Sequence, residues 1–322
     1  MAALSRRALL GATIGFSVLP GVSFAAGQPV SVVATTGMIA DAVRQVGGDL
    51  VEVKALMGPG VDPHAYRQTR TDIAAMVQAD LVLWHGLYLE AQMEDFLIDL
   101  GKDRKVMAAA EGLSPELLIA HEDYADKFDP HVWMDPELWA LVVRNVQTAL
   151  TEAHPDAADQ FAANAQAHLE DLAQLKAYSA DSLSSVPAEA RVLVTAHDAF
   201  GYFGREYGFE VLGIQGISTQ SEAGLARVAE LVDLLVDRKI GAVFVESSVT
   251  DRNIRALIEG AAAQGHEVTI GGELFSDAMG PDGSYEGTYL GMIDHNVTTI
   301  ARALGADGVP ATGMNGKLGV SG

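Results

Sequence analysis

The 322-residue sequence contains no cysteine, which excludes a disulfide framework and any thiolate metal site. It also lacks the residue on which an N-terminal lipid anchor is built, so an unanchored protein is the expectation. Basic side chains are scarce: 21 lysines and arginines stand against 43 aspartates and glutamates, a formal charge of −22. A surface of that sign repels nucleic acid and anionic lipid and weakly concentrates cations, although acidity of this size serves solubility equally well. Long apolar runs are missing too. Beyond its start, the sequence has nothing near the roughly 18 to 20 apolar residues that a membrane-spanning helix needs. With 49% hydrophobic and only 20% charged residues, it still has the composition of a globular chain with a sizeable core.

The one long apolar stretch opens the sequence. Arg6 and Arg7 precede the run 8–20 (ALLGATIGFSVLP) and the small residues around Ser23, Phe24 and Ala25. This is the layout of an export signal cleaved near Ala25, and the expected destination is the periplasm. The paired arginines fit either the twin-arginine or the general secretory route.

Short β-branched runs, each followed by Gly, Asp or Pro and then by helical periodicity, recur in two sets. This is the pattern of parallel strands with crossover helices. The first set predicts strands at 29–35, 50–57, 80–84 and 105–108. The second predicts strands at 191–195, 209–214, 242–246 and 267–270. Between them, Phe161, Leu169, Leu172, Leu175 and Leu183 keep near-helical spacing through an alanine-rich stretch without glycine. The expected fold is therefore α/β: two lobes, each a small mostly parallel sheet flanked by helices, joined by one long stiff helix. The expected division is a signal at 1–25, an N-terminal lobe at 26–154, the connecting helix at 155–186, a C-terminal lobe at 187–304, and a loose glycine-rich tail at 305–322.

Of nine histidines, three sit where such a fold presents ligands, just beyond strand ends or in proline-fixed loops. They are His64 in GVDPHAY, His131 in FDPHVWMDP and His197 in VTAHDAF. Proline before His64 and His131 fixes its own φ and pushes Asp62 and Asp129 into extended conformations, so each aspartate is held in a defined relation to its imidazole. A metal-bound imidazole usually gives its other N–H to a carboxylate or carbonyl, and either aspartate suits that task. Glu246, ending a predicted strand, is read equally as such an acceptor or as a buried, bonded carboxylate. A fourth ligand is sought in GGELFSDAMG, where position alone does not separate Asp277 from Glu273. That glycine-rich segment is expected to be a mobile loop. His85, His154, His168 and His266, and the three tryptophans at 84, 133 and 139, read as packing or surface residues.

The motifs DPHAY (62–66), DPHVWMDP (129–136), TAHDAFGYFGREYG (195–208), IQGISTQSEAG (214–224), VFVESSV (243–249), LFSDAMG (274–280) and DHN (294–296) make the specific case. Through them the chain resembles the zinc- and manganese-binding solute-receptor family of ABC transporters, from about residue 30 to 304. The resemblance implies a metal site of His64, His131, His197 and Asp277, with Zn2+ or Mn2+ as transported ligand. It also implies delivery to the membrane permease of an ABC transporter, a monomer, and no enzymatic activity. The third position is Glu in several manganese receptors of this family and His here. The long histidine-rich loop of dedicated zinc members is reduced to His121 in an acidic stretch, and their cysteine pair is absent. The competing reading is a zinc-dependent hydrolase with an α/β fold, since catalytic zinc is equally at home beyond strand ends.

Overall fold

The computed structural model describes residues 28–311, 313 and 314, apart from 122, 123 and 222. The expected signal and its cleavage point lie outside the described residues. The N-terminal lobe is built on strands β1 (Val30–Ala34), β2 (Val51–Ala55), β3 (Leu81–Trp84) and β4 (Val106–Ala108), all parallel in the order β2-β1-β3-β4. Both inner strands are almost wholly buried, as expected for a sheet covered on two faces, whereas edge strand β2 exposes Glu52 and Lys54. Four helices cover this sheet: α1 (Gly37–Gly47), α2 (Arg70–Gln78), α3 (Glu94–Leu100) and α4 (Pro136–Ala153). Their starts follow from local chemistry. Thr36 caps α1, Thr69 and Asp72 form a capping box on α2, and Asp135 caps α4 ahead of Pro136.

A single turn, Pro155–Ala157, leads into α5 (Ala158–Ser184). Its 27 residues, at about 1.5 Å each, make a rod of about 40 Å. The C-terminal lobe follows as β5 (Val192–Thr195), α6 (Gly201–Tyr207), β6 (Glu210–Gly213), α7 (Leu225–Asp237), β7 (Ala242–Glu246), α8 (Arg252–Ala263), β8 (Thr269–Leu274) and α9 (Tyr289–Ala303). Its strands form two parallel pairs, β5 with β6 and β7 with β8, with β5 alongside β7. Helix α5 is tied to both lobes. Asn164 donates to the Val46 carbonyl at the end of α1, Tyr178 meets Thr298 on α9, and Lys176 pairs with Glu137 of α4 and Glu206 of α6.

One hydrophobic core runs through both lobes. At its centre Trp139 stacks on Tyr289, with ring centroids 5.1 Å apart. The Tyr289 hydroxyl donates to the Trp133 carbonyl (2.8 Å), the Trp133 indole N–H donates to Ser276 O (2.8 Å), and the Tyr202 hydroxyl donates to Asp129 O (2.8 Å). These buried polar tips fix the lobes against each other through aromatic bodies that also fill the core.

One expectation needs correction. The last strand does not end at Ile270 but continues through Gly271 and Gly272 to Leu274. The glycines serve close packing: a Cβ at Gly271 would lie 2.8 Å from the Phe244 ring and 2.9 Å from Ala303, and one at Gly272 would lie 2.4 Å from Thr299. Within the expected tail, the described residue Met314 is buried and its N–H donates to the Asp294 carboxylate (2.7 Å).

Candidate metal site

His64, His131, His197 and Asp277 converge at the carboxyl ends of the strands, between the lobes, and all four are buried. His64 and His131 come from the N-terminal lobe, and His197 and Asp277 from the C-terminal lobe. One potential ligand atom from each lies within 4.8 Å of every other. The contacts are His64 Nε2 to His131 Nε2 at 3.3 Å, His131 Nε2 to Asp277 Oδ1 at 3.3 Å, and His197 Nε2 to Asp277 Oδ2 at 3.2 Å. Four donors held about 2.0–2.1 Å from one ion at tetrahedral angles sit about 3.3 Å apart. Three contacts have that length, and the whole set of potential ligand atoms lies within 4.8 Å. Asp277 turns one oxygen to each of two imidazoles, so it can also chelate with both. His197 Nε2 and both Asp277 oxygens are buried and make no well-aligned hydrogen bond; without an ion the Asp277 charge is balanced by the facing imidazoles at 3.2–3.3 Å, a place that a cation would take.

Each ligand is aimed by its own support. The Asp129 Oδ1 accepts both the backbone N–H of His131 (2.9 Å) and its ring Nδ1–H (2.7 Å). The Glu246 carboxylate at the end of β7 does the same for His197 with its two oxygens, at 3.0 Å from the backbone N–H and 2.6 Å from Nδ1. In both cases the bond leaves Nε2 as the atom directed at the centre. Asp62 behaves differently. Its Oδ1 accepts the His64 backbone N–H (2.8 Å), while its Oδ2 accepts the Thr219 hydroxyl (2.6 Å) from the opposite lobe. Thus the two Asp-Pro-His segments are not equivalent: one orients an imidazole, and the other folds its loop and latches the lobes.

The segment carrying Asp277 is tied to its surroundings by several hydrogen bonds. Phe275 exchanges two hydrogen bonds with the Asn296 side chain on α9, Ser276 O accepts the Trp133 indole N–H, and Ser276 Oγ meets Ser248 Oγ at 3.1 Å. Asp277 is 2% exposed, whereas Glu273 lies exposed on β8. Thr219 and Trp133 are contributors that residue-level reading did not assign. The only trace of Thr219 is its place in the 214–224 motif.

Charge explains how the cluster behaves without an ion. Burial holds the His64 imidazole at a pKa of about 3, so it is neutral. Burial also opposes protonation of His131, but the charges of Asp129 and Asp277 outweigh it and lift its pKa to about 9. His197 is buried too, yet Asp277 and Glu246 raise it well above the ordinary imidazole value. Asp277, despite burial, is held well below the usual carboxylate range by the facing imidazoles. A cation that takes their place must displace protons from His131 and His197.

Four further histidines lie elsewhere. His85 Nε2 donates to Pro130 O (2.7 Å) beneath Trp133, His266 Nε2 donates to Ile240 O (2.7 Å), His154 packs on Phe161, and His168 is buried on α5. Trp133 and Trp139 pack at the lobe interface, and Trp84 in a smaller core beneath β3.

A family model described as "Zinc-uptake complex component A periplasmic" matches residues 32–303. The chain is 50% identical over 279 residues to the manganese-binding lipoprotein MntA of Bacillus subtilis, covering 87% of this chain and 91% of that one. It is 47% identical over 297 residues to the zinc-binding protein TroA of Treponema pallidum, covering 92% and 96%. It is 32% identical over 274 residues to the iron-binding protein YfeA of Yersinia pestis, covering 85% and 86%. The solved structure of the periplasmic zinc-binding protein TroA from Treponema pallidum aligns with a TM-score of 0.84 at 47% identity, covering 86% of this chain and 99% of that chain.

Proposed function

The chain belongs to the family of periplasmic zinc-uptake components, and from that premise we propose that it captures one divalent transition-metal ion at His64, His131, His197 and Asp277 and hands it to a membrane permease. It is the metal-binding component of an ABC uptake transporter, with zinc or manganese as cargo. The observation that carries the ligand assignment is the convergence of four buried residues, two from each lobe, whose potential ligand atoms lie within 4.8 Å of one another, with three contacts at 3.2–3.3 Å. Three neutral imidazoles and one carboxylate suit zinc, and a chelating Asp277 accommodates manganese or iron. Calcium and magnesium, which take oxygen donors throughout, do not fit. By the usual affinity order zinc binds more tightly than manganese, so manganese as natural cargo would reflect supply.

Hydrolysis is argued against by the same donors. Catalytic zinc keeps a position open for water beside a general base. Here four protein residues are close enough to fill the coordination sphere of one ion, and the adjacent carboxylates Asp129 and Glu246 are each committed to a histidine N–H. We read the protein as a monomer, exported by its N-terminal signal. Zinc titration of the purified chain should give one tight site that His131→Ala abolishes, with no metal-dependent esterase or peptidase turnover. Two equally tight sites, or turnover lost in His197→Ala, would sink this reading.

A further inference from the structure

Asp277 is aimed by different means from its neighbours. His131 and His197 are each held by a carboxylate on Nδ1, whereas among the described residues no donor other than the facing imidazoles reaches the Asp277 oxygens. The direction of its carboxylate is therefore inherited from the main chain that carries it. We propose that Asn296 on α9 is the positioning residue that fixes this main chain, and that by keeping both Asp277 oxygens turned to the site it sets how well manganese is held relative to zinc. The inference rests on the four-ligand reading above and adds what governs the choice between the two ions.

The need for such a residue arises where the sheet stops. Strand β7 pairs with β8 as far as Glu246 opposite Leu274, and the Ser247 N–H donates to Leu274 O (3.0 Å). The ladder ends there, yet Phe275 is buried, and its main-chain N–H and C=O still require partners. One carboxamide serves both: Asn296 Oδ1 accepts the Phe275 N–H (2.9 Å), and Asn296 Nδ2 donates to Phe275 O (2.7 Å). Asn296 is 1% exposed, so water does not stand in for either bond when the side chain is removed. The two residues before it on α9 extend the hold. His295 Nε2 donates to Glu273 O (2.9 Å), and Asp294 accepts the Tyr285 hydroxyl (2.9 Å) on the other side of Asp277 in the chain. Because Leu274 lies opposite Glu246, which orients His197, one frame places both ligands of this lobe.

The carboxylate so held spans two imidazoles, with Oδ1 3.3 Å from His131 Nε2 and Oδ2 3.2 Å from His197 Nε2. With both oxygens bound, an ion has five protein donors; with the carboxylate swung onto one oxygen, it has four. Zinc is satisfied by four. Manganese favours a larger coordination number and oxygen donors, so it loses more when the carboxylate turns.

The test is competition titration of zinc and of manganese on the full chain, with melting of each metal-free variant as a check on folding. Asn296→Ala should weaken manganese binding by about 10–100-fold, the range for loss of a ligand's support, and zinc binding by a smaller factor. His295→Ala removes one bond at a half-buried position and should shift the ratio of the two affinities the same way by less. If Asn296→Ala does not fold, an unchanged ratio in His295→Ala overturns the proposal. Leu183→Ala, a core truncation on α5, should lower the melting temperature and leave the ratio alone. Pulsed EPR of bound manganese in D2O adds a readout that lost stability does not move: Asn296→Ala should gain a coordinated water where the parent has the second Asp277 oxygen. An unchanged ratio with no added water would overturn the proposal, and so would equal losses for both metals in Asn296→Ala. Failure of the parent chain to hold one zinc would count against the ligand set instead, and the zinc titration of the parent reads that separately.

Discussion

Replacing Glu246 with Gln isolates what a supporting carboxylate does for a ligand without altering the ligand itself. Glu246 receives two hydrogen bonds from His197, at 3.0 Å from the backbone N–H and 2.6 Å from Nδ1. Glutamine keeps the shape but offers one acceptor oxygen, so one of the two donors must face an amide NH2. If the oxygen stays with the backbone, the imidazole must present its Nδ1 lone pair and carry its proton on Nε2. That is the atom facing Asp277 at 3.2 Å, and the one required to ligate the ion. Loss of such a support typically costs 10–100-fold in metal affinity, or about 1.4–2.8 kcal/mol. The substitution also removes one of the two charges that hold the His197 pKa high, so fewer protons should leave on binding. Competition titration against a chelator, run in buffers of different protonation enthalpy, reads both quantities. An affinity equal to the parent's with unchanged proton release would refute the argument that Glu246 sets the His197 tautomer.

Three further outcomes follow from the same geometry. Metal affinity should keep rising with pH beyond the ordinary imidazole range. His131 without an ion holds its proton up to about pH 9 and must lose it to bind, whereas His64, at about 3, gives up none; a plateau already reached near neutrality would contradict this. His168→Leu should stabilise the zinc-free fold by about 1–2 kcal/mol, because both ring nitrogens are buried without a hydrogen bond. It should also reduce acid sensitivity below about pH 6.5, since the His168 pKa, lowered to about 4 by burial, makes the unfolded chain bind the proton first; thermal melts across pH measure both. Thr219→Val removes the bond from one lobe to Asp62 (2.6 Å) and should speed metal release while sparing the fold, which release kinetics with melting would check.

Seven of the eight strands among the described residues fall inside the windows read from β-branched runs, because strand and breaker chemistry there is local. Strand β8 was displaced because Gly271 and Gly272 read as a strand end, whereas their need for a missing Cβ comes from Phe244 and from Thr299 and Ala303 on α9. The three histidines were legible from proline-fixed or strand-end positions. Asp277 was not separable from Glu273 by position, and only the motif resemblance chose it; what distinguishes them is burial, which depends on Trp133 and Asn296 packed from elsewhere. Likewise Asp62 and Asp129 look alike in sequence. Their different tasks arise from Thr219, a partner 157 positions from Asp62.

Anomalous scattering at the zinc edge, from crystals of the loaded protein, tests the ligand set most directly. The account predicts one peak per chain, about 2.0–2.2 Å from Nε2 of His64, His131 and His197 and from an oxygen of Asp277. A peak bonded to fewer than three of these imidazoles, or one completed by water with Asp277 turned away, would contradict it.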